Sequence, residues 1–168
     1  MEKIHTSQKE QARAEAYFNE LFSDMSALPF SFKYDGRQYR GLDGDFSAAW
    51  EEGCLIGRLP DGLEVRAEIK RNFEYASFEW TLYFKNTSEK ESGVLSDIMG
   101  ADFTINKPDP ELFYFIGDDA MDSYAYAPVR VPMRAGTFLE FQPVGGRPTS
   151  FMTPYYRYEY QDEGIYLT

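Results

Sequence analysis

Thiol and imidazole are almost missing from this chain: Cys54 is its one cysteine and His5 its one histidine among 168 residues. A lone cysteine excludes an intrachain disulfide and a Cys-rich zinc site, and a lone histidine excludes a multi-histidine metal centre. His5 precedes the first helical pattern and reads as a leader residue, not as a member of a Ser-His-Asp triad. Basic residues are also scarce. Seventeen Lys and Arg stand against 28 Asp and Glu, and the resulting net charge of -11 disfavours phosphate backbones and anionic membranes as partners. Neither nucleic acid nor a membrane is expected as a partner. No run approaches the roughly 18 to 20 apolar residues of a membrane span. The start, Met1-Glu2-Lys3-Ile4-His5-Thr6, lacks the apolar stretch of a signal peptide, so a cytoplasmic setting is expected.

Aromatic residues, in contrast, are plentiful: 13 Tyr and 14 Phe help to make up 17% of the chain. Rings of this kind favour strands and half-buried surfaces, and they also suit the apolar faces of sugars. One helix is expected. Ser7 with Glu10 forms a capping-box pattern, and Ala14, Phe18, Leu21, Phe22 and Met25 recur at spacings of three and four, so the periodicity predicts a helix over residues 7–25. Residues 1–27 therefore read as a helical leader, with Leu28 and Pro29 ending the helix.

Beyond it the pattern changes to strands. Phe30, Phe32 and Tyr34 alternate with polar residues before the tight-turn pair Asp35-Gly36, which predicts a hairpin into Arg37 to Arg40. Leu63, Val65, Ala67 and Ile69 form one alternating run, and Phe78, Trp80, Leu82 and Phe84 form another. The short connection between them predicts an antiparallel pair, since a parallel crossover needs about a dozen residues or more. Further strands are expected near residues 101–106, 112–116, 137–142, 151–160 and 165–168. The fold class is accordingly all-β, an antiparallel β-sandwich over residues 28–168 with one amino-terminal helix.

No catalytic motif accompanies these strands. Asp43 and Asp45 lie in a glycine-rich turn, but the position where a calcium loop carries its bidentate glutamate is Cys54, so no metal is expected. No cofactor is expected either. Glu64 and Glu68 alternate with a strand's apolar face and read as solvating acids, while Glu51-Glu52 and Asp118-Asp119 read as loop acids. The segment from Gly117 to Pro128 is the main candidate surface. Its carboxylates Asp118, Asp119 and Asp122 can accept hydrogen bonds from sugar hydroxyls, and the rings of Tyr124 and Tyr126 can stack on sugar faces, so carbohydrate is a candidate partner. Gly145-Gly146-Arg147-Pro148 reads as a structural turn, with glycines opening backbone angles and Pro148 setting the exit.

The segment Gly62-Leu63-Glu64-Val65-Arg66, the strand from Phe78 to Thr87 around Trp80, and the turn Gly145-Gly146-Arg147-Pro148-Thr149-Ser150 together resemble the amino-terminal β-sandwich of α-galactosidase-like enzymes of glycoside hydrolase family 36. The resemblance covers about residues 28–168. It implies a supersandwich-like fold that precedes a catalytic TIM barrel in a longer parent chain. The family's catalytic aspartates belong to that barrel, so no catalytic residue is carried over and the isolated chain is expected to be inactive. The family sandwich continues beyond a segment like Gly164-Ile165-Tyr166-Leu167, so the domain is expected to be truncated at its carboxyl end. Two explanations stand: a piece of a longer glycosidase, or a small protein that keeps only the sandwich. Three functions follow: a noncatalytic accessory domain supporting the substrate pocket or subunit assembly, a carbohydrate-binding module, or an independent interaction scaffold that forms a homo-oligomer.

Overall fold

The structure, a computed structural model, describes residues 6–118, 125–142, 149, 153–161 and 163–168. Their architecture is mostly β, with three antiparallel sheets and one amino-terminal helix among the described residues. Two compact units divide the chain, Met1–Thr104 and Ile105–Thr168.

In the first unit, helix α1 runs over Gln8–Phe22. The Ser7 hydroxyl accepts from the Glu10 N–H at 3.2 Å while the Glu10 carboxylate accepts from the Ser7 N–H at 2.6 Å, closing the capping box. Those bonds from the Ser7 side chain and backbone hold the Glu10 carboxyl below its ordinary range. The helix stops three residues short of its expected end. Asp24 instead accepts from the Ser26 N–H and starts a 3-10 turn over Met25–Ala27, the local side-chain bonding that competes with helix continuation. Met25 still packs against the core, which explains why the periodicity ran on. Phe18 and Phe22 are buried, stack at 4.8 Å, and meet Phe78 and Trp80 edge-on.

The strands of this unit form two sheets. One has β1 (Ser31–Tyr34) between β2 (Arg37–Arg40) and β7 (Leu95–Met99). The other has the order β3 (Ser47–Glu51), β4 (Cys54–Arg58), β5 (Leu63–Asn72), β6 (Ser77–Asn86). Asp35 and Gly36 both take positive φ, 49° and 76°, which gives the β1–β2 hairpin a turn twisted like its strands. The two alternating runs of the sequence pair antiparallel as β5 and β6, in an unbroken register from Leu63↔Asn86 to Asn72↔Ser77. A 3-10 turn over Phe73–Tyr75 and a left-handed Ala76 reverse the chain between them.

The described core belongs to this first unit. Leu28, Phe30, Phe32, Leu55, Val65 and Ala67 are wholly buried. Phe32 of β1 lies 5.1 Å from the ring of Phe84 on β6 and 5.5 Å from Tyr39 on β2. The glycine at position 57 lets β4 lie close to Leu42 and Phe46, because a Cβ there would come within 2.7 Å of Leu42.

The described residues of the second unit form one sheet, ordered β11 (Glu163–Leu167), β10 (Tyr156–Tyr160), β8 (Glu111–Phe115), β9 (Pro128–Pro132). Residues 101–106 and 137–142 do not join a ladder. The Asp102 N–H is spent on the Pro29 carbonyl and the Ile105 carbonyl accepts from the Tyr158 hydroxyl, while Phe141 places its ring against Tyr114 and Tyr156 without strand pairing. Of the expected 151–160 strand only Tyr156–Tyr160 is one among the described residues.

Truncating Phe32 to alanine is expected to cost about 3–5 kcal/mol, as for other buried aromatics. Urea denaturation checks this, with Phe138→Ala as the control: Phe138 is 79% exposed and its loss should stay within about 0.5 kcal/mol.

Candidate functional site

The β8–β9 connection is closed at its base by the chain's own backbone. Beyond the last ladder pair, Phe115↔Pro128, the Ile116 N–H donates to the Ala127 carbonyl at 2.9 Å and the Tyr126 N–H donates to the Ile116 carbonyl at 3.1 Å. Asp118 is exposed on one side of this base, and Tyr126, 58% exposed, stands on the other. Tyr126 holds φ at 61°, a left-handed conformation that costs a residue with a Cβ about 1–2 kcal/mol. Asp119, Asp122 and Tyr124 lie outside the described residues, as do His5 and the turn residues Gly145, Gly146, Arg147 and Pro148.

A second grouping spans sheet β11-β10-β8-β9. Register places Tyr166, Arg157, Phe113 and Arg130 in one row across the four strands, so all four share a face. Both guanidiniums stack on Phe113, Arg157 at 4.6 Å and Arg130 at 4.9 Å from its centroid. Arg157 also donates to the Tyr166 hydroxyl at 3.2 Å, and this bond is the leading reason its basicity is raised. Glu111 and Glu159 are directly opposite each other in the next row on that face, and Arg130 bridges the two carboxylates. Tyr166, 71% exposed, leaves its ring open at the sheet's outer strand. No spacing in the chain announces this row, because it joins residues of four strands far apart in sequence.

A third grouping is an open cleft of about 310 Å³ in the first unit, lined among others by Tyr34, Asp35, Arg37, Asp45 and Asp61. Its polar groups bond chiefly to the protein. Arg37 pairs with Asp45 at 2.6 Å and covers the Tyr39 ring, Asp35 accepts from the Val94 N–H at 2.7 Å, and the Tyr34 hydroxyl accepts from the Gly93 N–H at 2.9 Å. Burial pushes the Tyr34 hydroxyl above the ordinary tyrosine range, and the Asp61 carboxylate adds to that rise.

No family model matches the chain, and neither a curated protein nor a solved structure matches it.

Glu64 and Glu68, read from the sequence as solvating acids, lie on β5 and form ion pairs there, and Glu51, read as a loop acid, ends strand β3 and does the same. Arg58 holds Glu51 at 2.7 Å and Glu64 at 2.8 Å, while Arg66 pairs with Glu68 at 2.8 Å. Glu52 occupies the β3–β4 turn beside Gly53, both at positive φ. Cys54 is a free, half-buried thiol. Among the described residues no group of three or more His, Cys, Asp or Glu is placed to hold a metal ion, and no helix is long and apolar enough to cross a membrane.

The hydrogen bond from Arg58 holds the Glu51 carboxyl below the ordinary glutamate range. A lowered folded value means that the pair's contribution is present above the unfolded glutamate value and is lost as pH falls through the folded one. Arg58→Met should return the Glu51 titration to the ordinary range, which carboxyl-resolved NMR titration of both proteins measures.

Proposed function

We propose that this chain is a noncatalytic accessory β-sandwich of an α-galactosidase-like glycoside hydrolase. In this reading, sheet β2-β1-β7 and sheet β3-β4-β5-β6 are the two layers of the sandwich. The β8–β9 loop, with Asp118 and Tyr126 at its base, supports the pocket of a catalytic barrel in the same parent chain or a neighbouring subunit. The contact that carries the reading is Phe32 against Phe84 at 5.1 Å, because it joins the inward faces of two separate antiparallel sheets in one aromatic core. The ion pairs of Glu51, Glu64, Glu68 and Glu79 support it further, since those carboxylates serve strand surfaces.

The row Tyr166, Arg157, Phe113 and Arg130 favours a second reading, carbohydrate binding by the face of the β8–β11 sheet. An exposed ring offers an apolar platform, and guanidinium and carboxylate groups beside it can bond hydroxyls.

The accessory reading expects no turnover of an aryl α-galactoside by the purified chain, and a coding sequence that runs on in frame into a barrel. Clear turnover, or a stop codon directly after Thr168, overturns it. The carbohydrate reading expects millimolar galactose or melibiose to produce saturable amide shifts at Tyr126 and Tyr166. Unchanged spectra count against that reading.

A further inference from the structure

Strand β6 is the outer member of its sheet and, with ten residues, the longest edge strand among the described residues. The other edge strands have four or five. Proline, a bulge or an inward charge commonly guards such an edge against pairing. In β6 there is no proline, and its register with β5 runs without a shift. The core-facing residues show the same openness. Val65 and Ala67 on β5 are wholly buried, whereas Phe84 and Leu82, directly opposite them on β6, are only half-buried.

The direction of the free hydrogen-bonding groups follows from one further bond. The Thr87 N–H donates to the Gly62 carbonyl at 2.8 Å, one step beyond the Leu63↔Asn86 pair. Alternation along an antiparallel ladder then turns the odd-numbered residues of β6 toward β5 and leaves the N–H and C=O of Phe78, Trp80, Leu82, Phe84 and Asn86 facing outward. Trp80 is anchored meanwhile through its side chain, whose indole N–H donates to the Gly100 carbonyl at 2.7 Å.

We propose that β6 is a homotypic docking edge, along which two copies of this chain pair antiparallel with Leu82 on the two-fold axis. In that register Trp80 faces Phe84 of the second copy, Thr81 faces Tyr83, and Glu79 faces Lys85, each relation occurring twice by symmetry. The outward-facing even-numbered residues form the hydrogen-bonded pairs, and the charges fall on the closer non-hydrogen-bonded pairs. Charge selects the register. The neighbouring registers place Glu79 opposite Tyr83 or Lys85 opposite Thr81, and more distant ones bring Glu79 or Lys85 opposite itself. Glu79 already holds Lys70 of its own chain at 2.9 Å, so docking sets it between two lysines. The second copy is thereby favoured over an unrelated strand, because β6 is complementary to itself in both charge and hydrogen bonding. The inference does not depend on the hydrolase reading, and its test uses no sugar.

Sedimentation velocity over a concentration series, combined with amide hydrogen exchange, tests it on the full chain. A reversible dimer is expected, with exchange at Trp80, Leu82 and Phe84 slowing as concentration rises. Lys85→Glu or Glu79→Lys alone should weaken self-association about tenfold or more, since two attractive cross-strand pairs become repulsive. The double reversal should restore it. Lys85→Gln provides a milder variant with an intermediate loss should a reversal impair folding. A monomer at every concentration overturns the proposal. So does protection of those amides that is independent of concentration, which would mean that a segment of the same chain covers the edge. Single reversals that associate like the original chain, or a double reversal that fails to recover, overturn it as well.

Discussion

The first unit depends on the burial of one alternating row of side chains from β5 against the aromatic cluster around Phe32. Leu63, Val65 and Ala67 present one face of β5 to that core, and their polar neighbours Glu64, Arg66 and Glu68 face the other way. Each large apolar side chain so buried contributes about 1.5–3 kcal/mol relative to exposure. Helix α1 draws on the same source. Fifteen residues make a helix that is marginal in water by itself, so the contacts of Phe18 and Phe22 with Phe73, Phe78 and Trp80 provide what its capping box cannot.

Excess negative charge is managed locally. The cations are few, but two of them work between strands: Arg58 serves two glutamates, and Arg130 bridges Glu111 and Glu159. Exposed ion pairs of this type contribute little to stability individually. Their larger effect is on which strands lie side by side, because a carboxylate opposite a carboxylate is tolerated where a guanidinium spans both.

The legible parts of the fold were those where local chemistry and tertiary demand agree. Asp35-Gly36 marked its hairpin because both residues accept positive φ, and β5 and β6 were visible through strict alternation. Strands β3 and β4 escaped notice because Ser47, Ala48 and Ala49 carry little strand preference and Gly57 interrupts the apolar pattern. Strand β7 was hidden by Asp97, which sits at φ 47°. The alternation of Leu139 and Phe141 with Glu140 and Gln142 misled in the opposite direction, since these residues join no ladder among the described residues. At the candidate sites, Asp118 and Tyr126 could be found from loop composition, but the Tyr166, Arg157, Phe113 and Arg130 row required knowledge of strand order. Register is a long-range property, and a one-dimensional pattern does not contain it.

The unbroken β5–β6 register also determines where the chain tolerates changes in length. A residue inserted within either strand would invert every side chain beyond it, sending apolar groups to solvent and charges to the core. The compact reversal at Phe73–Ala76 shares this intolerance, because Ala76 already occupies a left-handed conformation and donates back to Phe73. Segment 87–94 leaves β6 without belonging to a ladder, and between the bond of Thr87 to Gly62 and those of Gly93 and Val94 to Tyr34 and Asp35 it keeps no strand register. Divergence by insertion and deletion should therefore collect at one end of this hairpin and be purged from the other.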